Sequence, residues 1–304
     1  MTISSLSNEE LVYQLKSQGL CFQTGPFVIK LLSSFSDVAE GIASLYADYP
    51  LASASDFIDF HIAITSPKNW RRWYRPQVEF YFDQYKPFRP LPADQAFAMF
   101  EWSSNWCVAN HMHQYLILHA AVLERDGNVV IMPGSPGAGK STLCAALSTR
   151  GWRLLSDELT LVNRKDITVT PLPRPVSLKN ASIDIIKNYA SDCVIGPIAT
   201  DTTKGTVAHM KPSAESVQRA QEIAKPKWVV FPKYMPNSEA LLTPLDKASS
   251  FMRVAENSFN YSVLHQHGFE TLAGLMDCCD CYDFTYSRLD DAVAIFNNLK
   301  PPVE

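Results

Sequence analysis

The eight residues 134–141 constrain the fold of this chain more than any other stretch. They read Gly-Ser-Pro-Gly-Ala-Gly-Lys-Ser and match the pattern G-x-x-x-x-G-K-[ST] in full. The apolar run 128–132 before them is typical of a buried strand, and 141–147 after them has the composition of a helix, with Gly151 as its expected stop. A glycine-rich surface turn with an accidental lysine would not need a strand and a helix beside it. The stretch therefore predicts an α/β protein organised around a strand–loop–helix unit.

The residue types in this stretch suit the binding of a nucleoside triphosphate. Glycines let backbone N–H groups turn toward phosphate oxygens, which a Cβ would obstruct. The helix N-terminus adds partial positive charge, the Lys140 ammonium can reach the β- and γ-phosphates, and the Ser141 hydroxyl can bind Mg²⁺. We therefore predict ATP and Mg²⁺ as cofactors. The predicted nucleotide-binding residues are Gly134, Ser135, Pro136, Gly137, Ala138, Gly139, Lys140, Ser141 and Thr142.

Composition excludes several other classes of function. The chain has 304 residues, 46% of them hydrophobic, so it can bury a large core. Its net charge of -4 and pI near 6.0 give no basic field for nucleic acid. No signal peptide and no apolar run of membrane-spanning length is visible, and the odd number of seven cysteines favours reduced thiols. We expect a cytoplasmic protein without a membrane span.

The pattern of apolar residues divides the chain into three parts. Residues 1–92 predict an α+β N-terminal lobe that could recognise a substrate, with a capping box at Ser7 and Glu10. Residues 93–114 predict a linking helix, and 115–304 predict the catalytic domain. The aromatic and arginine residues of 70–75 could stack on bases, but the acidic chain favours stacking of guanidinium groups on neighbouring rings.

Further elements follow from the same patterns. Strand 115–124 should pair with the strand entering the glycine-rich stretch, through an Asp126-Gly127 turn. The other predictions are helices at 37–49, 213–224 and 247–265, an initial helix that includes Leu20, a strand at 152–156, a hairpin from 159–163 and 167–170, and a flexible lid or surface loop at 201–206.

Asp157 and Glu158 follow the strand 152–156, which returns parallel to the first strand after the helix. An acidic residue at that strand end is placed to hold the Mg²⁺ that bridges the phosphates, unless the pair is only an exposed strand end. Since neighbouring side chains of an extended segment diverge, one carboxylate could bind metal while the other faces an acceptor hydroxyl. His119 could orient Asp157, or it could be a core histidine satisfied by the backbone. Arg174, Lys179 and Lys204 lie in polar loops and are candidates for holding transition-state charge.

Several runs of residues together resemble a known family of kinases. The run 119–122, the stretch 134–141 and the pair Asp157-Glu158 resemble the kinase domain of bacterial HPr kinase/phosphorylase, whose fold is shared with phosphoenolpyruvate carboxykinase. The sequence is more similar to the HPr kinase-related kinase A family, and this resemblance covers nearly the whole chain. The additional matching runs are 46–50, 73–78, 172–179, 201–209 and 281–284.

The resemblance implies an ATP- and Mg²⁺-dependent phosphotransferase. It implies that Asp157 activates an acceptor serine hydroxyl, that His119 partners this carboxylate, and that Glu158 ligates the metal. Glu158 departs from the aspartate of the parent enzymes, which changes geometry more than chemistry. No counterpart of their carboxyl-terminal HPr-docking signature is found, so HPr itself and the reverse phosphorylase activity are not implied. The parent enzymes form hexamers, so a homo-oligomer is possible.

Two other functions remain compatible with the sequence. The same scaffold could phosphorylate a small-molecule hydroxyl rather than serine of a peptide or protein. The chain could also be a non-catalytic module that senses ATP and transfers nothing. The carboxylate at position 157 distinguishes either kinase from the ATP-sensing module, because only a kinase needs it as a base.

Overall fold

The protein has a mixed α/β fold, and the computed structural model describes residues 1–53, 55–70 and 73–302. Residues up to His111 form α1 (Asn8–Ser17), β1 (Leu20–Thr24), β2 (Phe27–Ser33), α2 (Ser36–Leu45), β3 (Phe60–Thr65), β4 (Gln77–Phe82), β5 (Leu91–Pro92) and α3 (Ala96–His111). The five strands form one mixed sheet in the order β1-β2-β3-β4-β5, with β2 and β3 parallel.

The middle of the chain contributes strands to a second sheet and begins a third. Its elements are β6 (Tyr115–Arg125), β7 (Asn128–Pro133), α4 (Lys140–Ser148), β8 (Arg153–Ser156), β9 (Leu159–Asn163), β10 (Val169–Thr170), β11 (Val176–Lys179) and α5 (Ala181–Tyr189).

The remaining elements complete both sheets. They are β12 (Ala199–Thr202), β13 (Gly205–Met210), α6 (Ala214–Gln218), β14 (Lys225–Tyr234), β15 (Leu241–Pro244), α7 (Lys247–Glu256), α8 (Gln266–Cys278), β16 (Asp280–Tyr286) and α9 (Leu289–Asn297). The second sheet has the order β10-β9-β6-β7-β14-β16-β15, with β8 also paired to β6. The third has the order β11-β13-β12 and is antiparallel.

Local signals set the ends of several early elements. The Ser7–Glu10 capping box is confirmed: the Glu10 N–H donates to Ser7 Oγ at 3.2 Å, and the Ser7 N–H donates to Glu10 Oε2 at 2.8 Å. Gly19, with φ of +85°, ends the first helix, so the prediction that Leu20 is helical is wrong and Leu20 begins β1. Helix α2 likewise ends at Leu45, before the predicted limit of 49.

The hairpin of β6 and β7 has the predicted two-residue turn. Arg125 pairs with Asn128, and Asp126 and Gly127 have φ of +52° and +80°. Both values are required by the turn type that matches strand twist. The hairpin is therefore confirmed, and it sets the register of the strand that leads into residues 134–141.

Strands β8 and β9 behave as one interrupted strand along β6. Both are antiparallel to β6, with Ser156 opposite Val122 and Leu159 opposite His119 in a common register. The interruption is Asp157-Glu158. Strand β8 does run in the direction of β7, as expected, but β6 lies between them, so the two strands are not neighbours.

Helices cover both faces of the second sheet. On one face, Ala121 and Leu123 of β6 pack in a core with residues of α4, α5 and α9. On the other, Ala120 and Val122 pack in a core with residues of α7 and α8. This alternation is that of a strand buried on both sides. A third core joins the first sheet to Ile117, so residues 1–92 do not pack separately from the rest.

Two helix predictions in the second half of the chain are wrong in extent. The helix at 213–224 is limited to Ala214–Gln218. The helix at 247–265 ends at Glu256, because the segment that follows pairs with β6: the His119 N–H donates to the Asn257 carbonyl, and Asn260 Oδ1 accepts from the Ile117 N–H. Residues 201–206, predicted as a flexible lid or surface loop, form the turn and flanks of the β12–β13 hairpin. No helix in the described part of the chain is long and apolar enough to cross a membrane.

Candidate functional site

Residues 134–141, here called the glycine loop, connect β7 to α4 and are held by contacts from β14 and β16. The Tyr234 N–H donates to the Ala138 carbonyl at 3.1 Å, and the Tyr286 hydroxyl donates to the Gly139 carbonyl at 3.1 Å. The Lys140 ammonium donates to the carbonyls of Gly134 and Ser135. The first two bonds fix the loop against two strands of the second sheet, and the Lys140 bonds close the loop on itself.

Glycine is required at the junction of the loop with the helix. Gly139 is the N-cap of α4, with φ of +93°, a left-handed conformation that a Cβ disfavours. A Cβ at this position would also lie 2.5 Å from the Tyr286 hydroxyl oxygen. No side chain within the described ranges caps α4. The N–H groups of its first turn are therefore available to an anion.

The glycine loop borders a cavity of about 510 Å³, here called the loop cavity. Its lining combines three regions that the sequence predicts to meet with residues of the third sheet and α5. The lining residues are His119, Pro136, Gly137, Gly139, Lys140, Ser141, Thr142, Asp157, Glu158, Ser177, Lys179, Asn180, Ser182 and Lys204. The structure thus brings the predicted base, metal ligands and two of the three predicted cations to one place. Asn180 and Ser182 are additional residues that no motif singled out, whereas Ser177 belongs to the matching run 172–179.

Asp157 is the most unusual titratable group of this cavity. Its side chain is buried, with the residue only 6% exposed, and Oδ2 accepts a hydrogen bond from the Ser177 N–H at 3.0 Å. Oδ1 is buried without a partner among the described residues. Burial, and then the adjacent Glu158, raise the pKa of Asp157 to about 6. The nearby Ser141 hydroxyl favours the ionised form, although it makes no hydrogen bond with Oδ1. An unpartnered carboxylate oxygen of raised pKa is suited to accept a proton.

The same residues provide the type of oxygen donors that Mg²⁺ prefers. The hydroxyl of Ser141 and the carboxylates of Asp157 and Glu158 line one cavity, and Asp157 Oδ1 has no hydrogen-bond partner among the residues that the structure describes. In the described part of the chain, no group of three or more His, Cys, Asp or Glu side chains forms a metal site by itself. Mg²⁺ at nucleotide sites is typically bound through one or two carboxylates together with phosphate oxygens.

His119 lines the loop cavity and packs against Phe259, with ring centroids 5.6 Å apart and the ring planes tilted by 53°. Burial, followed by the Lys140 ammonium, lowers the pKa of His119, so its imidazole is neutral at pH 7. Within the described ranges no hydrogen bond joins this imidazole to Asp157, and of the two carboxylates Glu158 is the one that acts on its charge. The predicted His119–Asp157 pairing is therefore not seen in this structure.

Two cations face the glycine loop from the third sheet. Lys179 ends β11 and Lys204 lies in the β12–β13 turn. The Lys204 ammonium is 5.5 Å from the ring centroid of Trp102, and burial lowers the pKa of this lysine. Asn180 Oδ1 accepts from the Thr206 N–H at 3.0 Å and so ties the two lysine-bearing segments together.

Arg174, the third predicted cation, does not line the loop cavity. It is 6% exposed and lines a small adjoining cavity of about 10 Å³ with Asn105 and Glu158. Its guanidinium donates to Glu101 Oε2 at 2.6 Å and to Asn105 Oδ1. The sequence shows Arg174 in a proline-rich loop but does not show the buried Glu101 of α3 that pairs with it.

The segment 70–75 is described only in part, since Arg71 and Arg72 lie outside the described residues. The rings of Trp70 and Tyr74 stack with centroids 5.5 Å apart, and the Arg75 guanidinium lies 5.8 Å from the Tyr74 centroid. These contacts agree with stacking within the protein.

Comparison with known families gives one match. Residues 93–228 are similar to the family described as "ScmC: SynChlorMet cassette protein ScmC". The matched segment is less than half of the chain, and it contains the glycine loop, Asp157, Glu158 and Asn105. A search of curated proteins found no match.

Proposed function

We propose that this protein is an ATP-dependent kinase that transfers the γ-phosphoryl group of ATP to a hydroxyl, with serine of a peptide or protein as the first acceptor to test. Residues 115–304 would form a catalytic domain of the HPr kinase type, and 1–92 a lobe that recognises the acceptor. The proposal adopts the activity that the resemblance of runs such as 119–122 and 134–141 implies.

One observation carries the proposal. A buried carboxylate, Asp157, lines the same cavity as the lysine and serine of the glycine loop, and its Oδ1 has no hydrogen-bond partner among the described residues. A binding module needs the loop and an oxygen ligand for Mg²⁺, but it does not need a carboxyl group whose pKa is raised to about 6. A kinase needs the loop and such a carboxyl group, because the hydroxyl must lose its proton as it attacks phosphorus.

Each of these residues would have its own role in phosphoryl transfer. The glycine loop and Lys140 bind and orient the phosphates, while Lys179 and Lys204 attract the negative charge of the transferring group. Asp157 accepts the hydroxyl proton as the new O–P bond forms and the bond to ADP breaks. Mg²⁺, when bound near Ser141 and Glu158, would neutralise phosphate charge.

Two substitutions in the loop cavity test the proposal. Asp157→Asn should retain ATP binding and lose transfer by a factor of about 10² to 10⁴, the usual contribution of a general base. Lys140→Ala should weaken ATP binding itself. We would incubate each protein with ATP labelled on the γ-phosphate and a lysate of its own cell, then identify the labelled species by mass spectrometry.

The outcomes separate the alternatives. Label on a serine in a protein supports the proposal, and label on a small molecule identifies a small-molecule kinase on the same site. If ATP binds but the wild type and Asp157→Asn turn over nucleotide equally and label nothing, the protein is an ATP-sensing module and the kinase proposal is wrong.

A further inference from the structure

The side chain of Asn105 connects two charged groups beside the loop cavity. Its Nδ2 donates to Glu158 Oε2 at 2.7 Å, and its Oδ1 accepts from the Arg174 guanidinium. Asn105 lies on α3, outside the glycine loop and outside every motif discussed above. No catalytic group lies on this helix, so the contact with Glu158 needs its own explanation.

The orientation of this amide is determined by its neighbours. An asparagine has one accepting and one donating end, whereas a guanidinium can only donate. Arg174 therefore fixes Oδ1 of Asn105 toward itself, which directs Nδ2 toward Glu158. A carboxylate accepts from that end, so both contacts favour the same orientation.

Arg174 is itself held rigidly. Its Nη2 donates to Glu101 Oε2 at 2.6 Å, and the Tyr46 hydroxyl donates to Glu101 Oε1 at 2.7 Å. Both Glu101 and Tyr46 are fully buried or nearly so. The neighbouring backbone is fixed as well, because the Tyr49 hydroxyl donates to the Pro173 carbonyl at 2.7 Å.

We propose that Asn105 is a positioning residue that holds one oxygen of Glu158, so that the other carboxylate oxygen is directed to the cation accompanying the nucleotide. Arg174 acts through Asn105 and not on phosphate. The inference rests on the proposed function, because it assigns Glu158 to the metal. Hydrogen bonds to a ligating carboxylate orient it, and their removal typically lowers metal affinity about 10- to 100-fold.

Mn²⁺ is the probe for the test, since its free concentration is measured by electron paramagnetic resonance. We would titrate the full-length protein with Mn²⁺ in the presence of a non-hydrolysable ATP analogue. Asn105→Leu removes both ends of the amide at similar volume and should weaken Mn²⁺ binding about 10-fold or more. The affinity for the metal-free analogue should change less than about twofold, since the glycine loop is untouched.

A matched control comes from the same helix. Asn110 is exposed, and its amide donates only to the Trp106 carbonyl of its own helix. Asn110→Leu should leave Mn²⁺ affinity unchanged. If Asn105→Leu binds Mn²⁺ as the wild type does, the positioning role is wrong. Glu158→Gln should lose more affinity than either variant, and an unchanged affinity there also overturns the inference.

A second variant guards against loss of folding. Asn105→Gln keeps both ends of the amide, so it should retain more Mn²⁺ affinity than Asn105→Leu, and an equal loss of affinity in the two variants contradicts the inference. If the wild type binds neither the analogue nor Mn²⁺, the proposed function itself fails, which is a different result.

Discussion

Replacing Asp157 by asparagine should stabilise the protein at neutral pH while it removes the proposed base. The pKa of this buried carboxyl is raised from 3.8 to about 6. Each pKa unit corresponds to about 1.36 kcal/mol, so ionised Asp157 costs about 3 kcal/mol in the folded state at pH 8. Asparagine carries no charge, and its oxygen can still accept from the Ser177 N–H.

The sign of the pH dependence follows from the raised pKa. Stability associated with protonated Asp157 is fully present below pH 3.8 and is lost as the pH rises through about 6. The cost of ionisation falls to about 1.5 kcal/mol at pH 5, because the folded carboxyl is mostly protonated there while the unfolded one is not. The free energy of unfolding that Asp157→Asn gains over the wild type should therefore be about 1.5 kcal/mol larger at pH 8 than at pH 5.

Urea unfolding of both proteins at pH 5 and pH 8, without nucleotide, measures this difference. Asp126→Asn is the matched control. It makes the same chemical change in the exposed hairpin turn, where asparagine also adopts the left-handed conformation. If the stability difference between the wild type and Asp157→Asn is the same at both pH values, burial does not perturb Asp157 and the reasoning is wrong. An Asp157→Asn protein that is less stable than the wild type at pH 8 would contradict the reasoning more directly.

Two further predictions concern the same cavity. The kcat/KM of phosphoryl transfer should fall about tenfold per pH unit below pH 6, because only ionised Asp157 accepts a proton; a flat profile from pH 5 to pH 8 would argue against this base. Gly139→Ala should destabilise the protein by more than the ~1–2 kcal/mol of left-handed strain alone, since its Cβ also meets the Tyr286 hydroxyl at 2.5 Å. Gly151→Ala, with φ of +90° and nothing within 4 Å, is its control, and adding Tyr286→Phe should recover part of the loss in urea unfolding.

Features that depend on a few adjacent residues could be predicted from the sequence. The capping box at Ser7, the Asp126-Gly127 turn and the strand–loop–helix unit around 134–141 are all read from short patterns whose geometry is fixed locally. The meeting of Asp157 with the glycine loop was also expected, because it follows from strand direction.

Features that depend on partners distant in sequence could not be predicted. The helix predicted over 247–265 has suitable composition throughout, but Asn257 and Asn260 pair with β6 instead, and that competition is visible only in the fold. Arg174 is similar. Its location in a polar segment suggested contact with phosphate, whereas its partners, Glu101 and Asn105, lie on α3 among aromatic residues.

The interruption between β8 and β9 explains how two adjacent carboxylates serve one cavity. In a regular strand, neighbouring side chains point to opposite faces, which is why Asp157 and Glu158 were expected to diverge. Both line the loop cavity, and this requires the regular pairing to break at these two residues.

The partner strand, β6, continues past that break without interruption. The common register of Ser156 with Val122 and of Leu159 with His119 leaves Ala120 and Ala121 beside the two carboxylate residues. On the other side of β6, the same alanines pair with the last two residues of β7, directly before the glycine loop. The β6 backbone at Ala120 and Ala121 therefore lies between the end of β7 and the two carboxylate residues, while the two methyl groups pack into the cores on opposite faces of the sheet. The run 119–122 contributes to the site through its register as much as through His119.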